Sequence, residues 1–304
     1  MKYLIFDVRN LLYRTFYANT KGNDSSTAAG LAVHSGLVTM NKYFREHKPD
    51  KVVMAYDRNS WRKAYTASPQ CLSQKPYKGN RRQNMTPAEQ AKFIEFEKHL
   101  VDFERVIADN TTIITMEAPN LEADDLIAGF VQKLNSPQDS HVLISTDTDM
   151  LQLLRHPNLT IVSPANDKVQ TLEEYNNDPL LYLFVKCVRG DPTDNVQSAY
   201  PRVRETKIVQ VYENTSERIN FMQTKWTNQE GREFTVGEMF AENQLLIDLE
   251  KQPAEIRQLM DDTIEQALTA QKTFSMFNFL KFTGKYKLDA IRNSFENYLP
   301  MLSK

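Results

Sequence analysis

Short apolar runs alternate with longer segments of helical periodicity through the first two-thirds of the chain. The runs rich in β-branched and aromatic residues predict strands at 3–7, 51–57, 111–116 and 141–146, with 159–163 as a fifth candidate. The intervening periodic segments predict helices at 10–18, 28–46, 87–105 and 121–135. This alternation is typical of right-handed βαβ crossovers, so we expect an α/β fold built on a mostly parallel sheet.

The strand signal fades from about residue 172. The later periodic segments predict helices at 179–189, 203–213, 235–250 and 252–281. We therefore place a boundary near residue 185, which divides an α/β domain over 1–185 from a helical region over 186–304. The chain has only nine glycines and no glycine-rich phosphate-binding motif, which argues against a nucleotide cofactor.

Three carboxylates precede the helical run at 121–135 within four residues: Glu122, Asp124 and Asp125. We predict Asn120 as the N-cap, which places these acids in the first turn. The positive end of the helix dipole favours acids there, so a plain capping role remains open for each of them taken singly.

Three predicted strands end in aspartate: Asp7, Asp57 and Asp147, the last followed by Asp149. The carboxyl ends of strands in open parallel sheets border the functional crevice, so we expect these side chains to converge. Like charges at close range destabilise the fold unless a cation is present. Carboxylate oxygens suit Mg²⁺ or Mn²⁺, and the sequence therefore predicts a divalent-metal site.

Overall charge and cysteine content narrow the function classes. The net charge is −2, yet the chain is net positive once the acids of the predicted site are set aside, which permits a phosphate-bearing substrate without proving one. Two cysteines far apart indicate neither a disulfide framework nor a zinc site. The apolar runs are short and no signal-peptide pattern is present, so we expect a cytoplasmic protein without membrane association.

Residues 58–86 carry many cations and aromatic rings but no acid. They include Arg58, Arg62, Lys63, Lys75, Lys78, Arg81 and Arg82, interleaved with Trp61, Tyr65 and Tyr77. Such a composition is typical of a single-strand binding platform, where cations follow the backbone and rings stack on bases. An ordinary solvated loop is the alternative.

Spaced elements of the chain resemble, in order, the carboxylate series of the 5′-nuclease superfamily of flap endonucleases and 5′–3′ exonucleases. They are Phe6-Asp7, Asp57, Glu122-Ala123-Asp124-Asp125, Thr146-Asp147-Thr148-Asp149 and Gly190-Asp191-Pro192-Thr193-Asp194-Asn195. The segment 77–81 resembles the family's Tyr-Lys-x-x-Arg element, and Arg14 lies seven residues past Asp7 as in the family. Residues 242–249 are similar to a late segment in the ribonuclease H of T-even phages, itself a 5′-nuclease.

The resemblance implies a PIN-like 5′-nuclease core with a doubly wound sheet, a helical arch within about 58–105 and a mainly α-helical, DNA-binding C-terminal region. It also implies two Mg²⁺ ions, replaceable by Mn²⁺, that clamp the scissile phosphodiester. The inner site would comprise Asp7, Asp57, Glu122, Asp124, Asp147 and Asp149. The second ion would be held, directly or through water, by Asp125, Asp191 and Asp194.

The same resemblance assigns roles to the basic segment and its neighbours. Lys78 and Arg81 would stabilise charge that develops on the phosphate. Tyr77 would stack on a terminal base, while Arg14 and Arg82 would contact the nucleic acid.

The implied activity is 5′–3′ exonuclease and flap endonuclease action, with ribonuclease H activity, on DNA and RNA/DNA duplexes. Such an enzyme removes RNA primers and 5′ ends of lagging-strand fragments in phage replication, in the host cytoplasm. A single-strand-binding protein and a sliding clamp are the implied partners of a monomer. Two alternatives remain: a non-catalytic DNA-binding protein on the same fold, and a PIN-type single-strand ribonuclease, although such domains are usually shorter.

One segment departs from the family pattern. Many relatives have a glycine-rich hairpin after Gly-Asp-x-x-Asp-Asn, but residues 196–204 contain no glycine. Close approach of the backbone to a phosphate is harder without glycine. We therefore expect the grip on duplex to rest on side-chain charge, chiefly Arg202, Arg204 and Lys207, the last two sharing a helix face.

Overall fold

A six-stranded sheet forms the centre of the protein in the computed structural model, which describes residues 1–19, 24–81, 85–228 and 231–304. Its strands are β1 (Lys2–Asp7), β2 (Lys51–Ala55), β3 (Ile114–Met116), β4 (Ser140–Ile144), β5 (Leu159–Ser163) and β6 (Lys168–Val169). The order across the sheet is β3-β2-β1-β4-β5-β6, and only the β5–β6 pair is antiparallel. The expected mostly parallel sheet is confirmed.

The helices before the sheet's last strand are α1 (Val8–Asn19), α2 (Ser25–His47), α3 (Trp61–Thr66), α4 (Pro87–Asn110) and α5 (Ala123–Lys133). Those that follow are α6 (Pro179–Arg189), α7 (Glu205–Glu213), α8 (Thr215–Gln223), α9 (Val236–Ile247), α10 (Ala254–Thr269), α11 (Met276–Lys285), α12 (Asp289–Asn293) and α13 (Leu299–Leu302). Three 3-10 helices occupy Thr148–Arg155, Glu173–Tyr175 and Phe295–Asn297, and β7 (Lys225–Thr227) pairs with β8 (Glu233–Thr235) in a hairpin.

Alternate side chains of the central strands pack into two separate apolar cores, one on each face of the sheet. Helices cover both faces, so the sheet is doubly wound. Leu4 and Phe6 of β1 pack with α1, α2 and α4 on one face. Tyr3 and Ile5 of the same strand pack with α5 and α10 on the other. Successive residues of a strand point to opposite faces, and both faces are covered here, so residues 3–6 of β1 are all apolar.

The C-terminal region divides into two parts with different packing. Helices α6 to α9 and the β7–β8 hairpin build a small apolar cluster of their own. Helices α10 to α13 instead return to the α/β core, with Met260 and Ile264 on one face and Phe279 and Leu302 on the other. A single boundary at residue 185 therefore does not describe the packing, because residues 254–302 belong to the core.

Two local expectations were wrong. The predicted helix at 252–281 is interrupted after α10, where Lys272 donates to the carbonyl of Ile113 at 2.8 Å and to the Thr115 hydroxyl at 2.6 Å. Asn120 does not cap α5, because it adopts a left-handed conformation with φ of 66° and Glu122 takes the capping position. The predicted helical character of the C-terminal region is otherwise confirmed.

None of the helices in the described ranges combines the length and apolarity that crossing a membrane requires. Both cysteines, Cys71 and Cys187, are free and buried.

Candidate active site

Three aspartates meet at the carboxyl edge of the sheet. Asp7 ends β1, Asp124 lies in the first turn of α5, and Asp147 follows β4. One carboxylate oxygen from each lies within 4.8 Å of the others, and we call this group the inner cluster. Because β1 lies between β2 and β4, the cluster sits where the winding of the sheet reverses, the usual place for a site in such folds.

The acids of the inner cluster have no salt-bridge partner among the described lysines and arginines, and Lys78 acts on Asp124 only through its charge at longer range. Across the described ranges, no lysine or arginine forms a salt bridge with Asp7, Asp124, Asp147 or the adjacent Asp57. Burial raises the pKa of Asp7, and the charges of Asp57 and Asp147 raise it further. Burial likewise raises the pKa of Asp124, with Asp147 and Asp7 adding to the effect. A cation at this position would relieve the repulsion.

Asp57 is held beside the cluster by the start of α5. Its Oδ1 accepts a hydrogen bond from the backbone N–H of Ala123 at 3.0 Å. Burial raises the pKa of Asp57 despite that bond, and nearby Glu122 raises it too. The helix that supplies Asp124 thus also fixes Asp57, so the two carboxylates are positioned by one element.

Glu122 differs from the inner cluster because both of its oxygens already have donors. Ser60 donates to Oε2 at 2.6 Å and Arg62 donates to the same oxygen at 3.2 Å, while the Lys78 ammonium donates to Oε1. Burial raises the pKa of Glu122, but Lys78 and Arg62 outweigh burial and bring the value to about 2. The Glu122 side chain therefore anchors Lys78. Because both of its oxygens already accept hydrogen bonds, the geometry does not favour the expected role of Glu122 as an inner metal ligand.

Asp125 is buried in the core, where it shares the Arg62 guanidinium with Glu122. The Arg62 guanidinium donates to both of its oxygens at 2.9 Å, and Gln252 donates to Oδ1 at 3.2 Å. Asp125 is 0% exposed and Arg62 is 2% exposed. The structure contradicts the expected place of Asp125 at a second ion, because a buried bidentate partner already neutralises its charge.

Asp191 and Asp194, the other expected ligands of a second ion, are also paired with cations, and so is Asp149, which was expected in the inner site. Lys186, from α6, donates to Oδ1 of Asp149 and approaches Oδ2 of Asp191 at 3.4 Å. Asp194 accepts from Arg81 at 2.5 Å and from the Tyr77 hydroxyl at 2.7 Å. We call Glu122, Asp125, Asp149, Asp191 and Asp194 the paired carboxylates. Within the ranges the structure describes, they form no further cluster with metal-binding spacing.

Tyr77 does not offer a stacking surface. Its side chain is 7% exposed and packs with Leu183, Cys187 and Val196. Burial raises its pKa well above the usual value, so the hydroxyl stays a donor to Asp194. The expectation that Tyr77 stacks on a base is wrong because the ring belongs to the interior.

A cavity of about 1420 Å³ opens above the inner cluster and is lined by several cations. Arg58, Lys78 and Arg81 reach it from the basic segment, and Arg14 reaches it from α1. The basic segment, residues 58–86, does not form a continuous exposed surface, because its Trp61 and Arg62 side chains are buried. Four of its cations, Arg58, Arg62, Lys78 and Arg81, pair with acids elsewhere in the chain. Arg82 lies outside the described residues.

Three cations predicted to contact duplex lie on the surface near the start of α7. Arg202 and Arg204 are exposed, and Arg202 adopts a left-handed conformation with φ of 63°. Lys207 is exposed as well, but its ammonium pairs with Glu217 of α8 at 2.8 Å. Arg204 precedes the first residue of α7, Glu205, so only Lys207 belongs to the helix proper.

Two cations important to the site were missed in the sequence. Arg62 was grouped with solvent-facing cations, although its neighbours Trp61 and Tyr65 already suggested an inward helix face. Lys186 lies in the last turn of an apolar helix, four residues before Gly190. A lone lysine in such a helix needs an acid partner, but sequence spacing cannot identify Asp149, which lies 37 residues earlier.

Comparison with known proteins places the chain among nucleases. Residues 2–180 match the family described as 5′-3′ exonuclease, N-terminal resolvase-like domain. A 5′-3′ exonuclease of Halalkalibacterium halodurans is 29% identical over 209 residues, which cover 64% of this chain and 63% of that protein. DNA polymerase I of Caldicellulosiruptor bescii is 30% identical over 205 residues, which cover 64% of this chain and 22% of that protein.

Solved structures show the same fold at greater sequence distance. A bacteriophage T5 flap endonuclease, in complex with DNA and metal ions, aligns with a TM-score of 0.63 at 21% identity over 95% of this chain and 100% of that one. The T5 5′-exonuclease with bound zinc gives 0.64 at 21% identity, covering 94% and 98%. The overall architecture, including the helical C-terminal part, is therefore that of these flap endonucleases.

Proposed function

The chain belongs to the 5′–3′ exonuclease family, and we propose that it is a divalent-metal-dependent 5′-nuclease acting on duplexes with 5′ ends or flaps. One observation carries the proposal. Three carboxylates without cation partners in the described chain converge under a cavity whose other walls present Lys78, Arg81, Arg14 and Arg58. A site that binds both a divalent cation and a phosphate needs these opposite charges side by side.

The donor set of the inner cluster fits a hard divalent cation. Asp7, Asp124 and Asp147 offer carboxylate oxygens alone, with no thiol or imidazole beside them in the described residues, which suits Mg²⁺ and secondarily Mn²⁺. A bound ion would supply Lewis acidity toward the scissile phosphate and would make a coordinated water more acidic. Asp57 offers a further carboxylate beside the inner cluster, and the backbone N–H of Ala123 holds it in place.

The chain's own cations perform the rest of the chemistry in this proposal. Lys78 is fixed by Glu122 beside the cluster, so its ammonium is ready to neutralise charge developing on a phosphate oxygen. Arg81 is half-exposed and pairs with Asp194, from which it can reach a backbone phosphate. Arg14 lines the same cavity and is exposed, which suits a contact to the neighbouring phosphate.

We propose DNA and RNA/DNA duplexes as substrates, with removal of RNA primers and 5′ ends of lagging-strand fragments as the role. The similar T5 flap endonuclease forms a complex with DNA and metal ions, which supports a DNA substrate here. The motif resemblance to the ribonuclease H of T-even phages supports the RNA-primed substrate and a phage setting. A single-strand-binding protein and a sliding clamp complete the proposal as partners.

Cleavage of four 5′-labelled substrates tests the function: a nicked duplex, a duplex with a 5′ flap, a duplex with an RNA primer and a free single strand. We expect products that begin at the 5′ end, in Mg²⁺ and not in EDTA, and none from the Asp147→Asn variant. Products of equal yield in EDTA would contradict the metal dependence. Cleavage confined to free single strands would favour the PIN-type ribonuclease instead.

A further inference from the structure

Lys186 lies between two carboxylates at the margin of the active site. Its ammonium donates to Oδ1 of Asp149 and lies 3.4 Å from Oδ2 of Asp191. The side chain is 16% exposed, and the ammonium lies 5.9 Å from the centre of the Tyr182 ring. The Tyr182 hydroxyl donates to the carbonyl of Thr148 at 2.8 Å, so the ring is itself fixed to the segment that carries Asp149.

The surroundings direct both carboxylates toward this ammonium. Oδ1 of Asp191 accepts the backbone N–H groups of Thr193 at 2.8 Å and Asp194 at 3.2 Å, which leaves Oδ2 for Lys186. The backbone N–H of Asp149 donates to Oδ1 of Asp147, a member of the inner cluster, at 2.8 Å. Lys186 is therefore connected to the inner cluster through Asp149, whose backbone bonds to Asp147.

This arrangement contrasts with what a second divalent ion would need. A cation at Asp149 and Asp191 would have to share their oxygens with an ammonium that already carries one positive charge. The described carboxylates form one group with metal-binding spacing, and neither Asp149 nor Asp191 is a member of it.

We propose that the Lys186 ammonium acts as a built-in counter-cation at Asp149 and Asp191, so that the protein binds one divalent ion tightly and a second only when Lys186 is displaced. The inference rests on the proposed function, since it presumes that the inner cluster is the tight site. It assigns Lys186 a positioning role: it sets the number of bound ions and does not touch the reacting phosphate.

Counting bound Mn²⁺ by electron paramagnetic resonance of the free ion tests this directly. For the wild type we expect one tight class of sites and a weak second class. Lys186→Met removes the charge while keeping the length of the side chain, and the second class should tighten by at least about tenfold. Lys186→Arg keeps the charge and should retain a weak second class.

Arg189→Met is the matched control. Arg189 lies in the last turn of the same helix and pairs with Glu205 at 2.5 Å, and it forms no salt bridge with Asp149 or Asp191. The Arg189→Met substitution removes the same unit of charge as Lys186→Met and should leave the affinity of both classes of Mn²⁺ sites unchanged. An equal tightening in this variant would mean that overall charge, and not the Lys186 contact, sets the affinity, and would overturn the inference.

A measurement on the unmodified protein removes dependence on how the variants fold. Reductive methylation followed by mass spectrometry reports how accessible each lysine is. We expect Lys186 to be protected without metal and with one Mn²⁺ bound, and to become reactive at concentrations that fill the second class.

Three results would be decisive against the inference. Unchanged second-site affinity in Lys186→Met, with the tight class intact, would overturn it alone. Lys186 that stays protected at saturating Mn²⁺ would do the same. Absence of any tight class in the wild type would overturn the proposed function, and the inference with it.

Discussion

The inner cluster and the paired carboxylates are built from the same residue type within one crevice, yet they differ in what surrounds them. Asp7, Asp124 and Asp147 face one another with no salt bridge to a described cation. The paired carboxylates each have at least one ammonium or guanidinium partner, such as Arg62 for Asp125 and Lys186 for Asp149. Position along the sequence motif does not reveal this difference.

The difference separates carboxylates that await a cation from those that hold the site together. A buried acid with a bidentate arginine contributes by positioning its neighbours, and removal of either partner leaves a charge uncompensated. An acid without a partner destabilises the metal-free fold and is tolerated where a bound cation neutralises it. Substitution of a paired carboxylate should therefore change stability strongly and tight metal binding only weakly. Substitution within the inner cluster should show the reverse.

The largest effect is expected inside the inner cluster. Asp147→Asn removes one ligand charge while preserving size, and cleavage in Mg²⁺ should fall by roughly 10³-fold or more. Binding to flapped duplex should be kept or improved, because repulsion of phosphate is reduced. Single-turnover cleavage and filter binding measure the two quantities, and a wild-type cleavage rate would remove Asp147 from the site.

Asp125→Ala should show the opposite behaviour. It leaves Arg62 buried with only Glu122 as a charged partner, so we expect a loss of roughly 3 kcal/mol in the free energy of unfolding, from the lower part of the range for broken buried pairs. Urea denaturation measures this loss. Tight Mn²⁺ binding should persist at temperatures where the variant is folded, and its disappearance would mean that Asp125 is a ligand after all.

Lys78→Ala tests the cation that Glu122 positions. The ammonium is expected to act mainly in the transition state, so the single-turnover rate should fall by roughly 10²–10³-fold with a smaller change in KM. Lys63→Ala is the matched control, because Lys63 lines the same cavity but bonds to Asn59 at 3.4 Å. An equal fall of the single-turnover rate in the two variants would mean that Lys78 contributes only positive charge to the cavity and has no specific role in the transition state.

The smallest effect is expected at the exposed arginines before α7. Arg202→Ala/Arg204→Ala should weaken binding to nicked duplex and reduce the slope of its salt dependence by roughly two units, one for each phosphate that is no longer neutralised. Cleavage at saturating enzyme should stay near the wild-type rate. Lys207 is left out because Glu217 already pairs with it. An unchanged slope would place the duplex grip elsewhere.

The sequence predicted the sheet well because strand ends carry strong local signals. The β5 segment was predicted with its observed bounds, 159–163. Of the three strand-end aspartates expected to converge, Asp7 and Asp147 belong to the inner cluster, whereas Asp57 lies beside it. Short elements such as the β7–β8 hairpin were missed, since three-residue strands give too little periodicity. The break before α11 depends on the distant contact of Lys272 with Ile113, which no local pattern contains.

The site was predicted only in part, for a related reason. Carboxylates can be found from spacing, but whether each is paired depends on residues far away in the sequence, such as Arg62 for Asp125 and Lys186 for Asp149. The acid-free composition of residues 58–86 suggested exposed cations, whereas Arg58, Arg62, Lys78 and Arg81 form salt bridges with acids from other parts of the chain. Tyr77 illustrates the consequence, because its ring is buried by Leu183 and Val196 of the C-terminal part.

Thermal unfolding of the wild type and Asp124→Asn, in EDTA and in Mn²⁺, tests the central claim that the inner cluster awaits a cation. Burial and its neighbours raise the folded pKa of Asp124 above the unfolded value, so the ionised group costs stability as pH rises through that folded pKa. At neutral pH in EDTA, Asp124→Asn should be more stable than the wild type by about 1 kcal/mol or more. Mn²⁺ should raise the Tm of the wild type strongly and that of Asp124→Asn little. A wild type that gains nothing from Mn²⁺, with Asp124→Asn less stable in EDTA, would contradict the account.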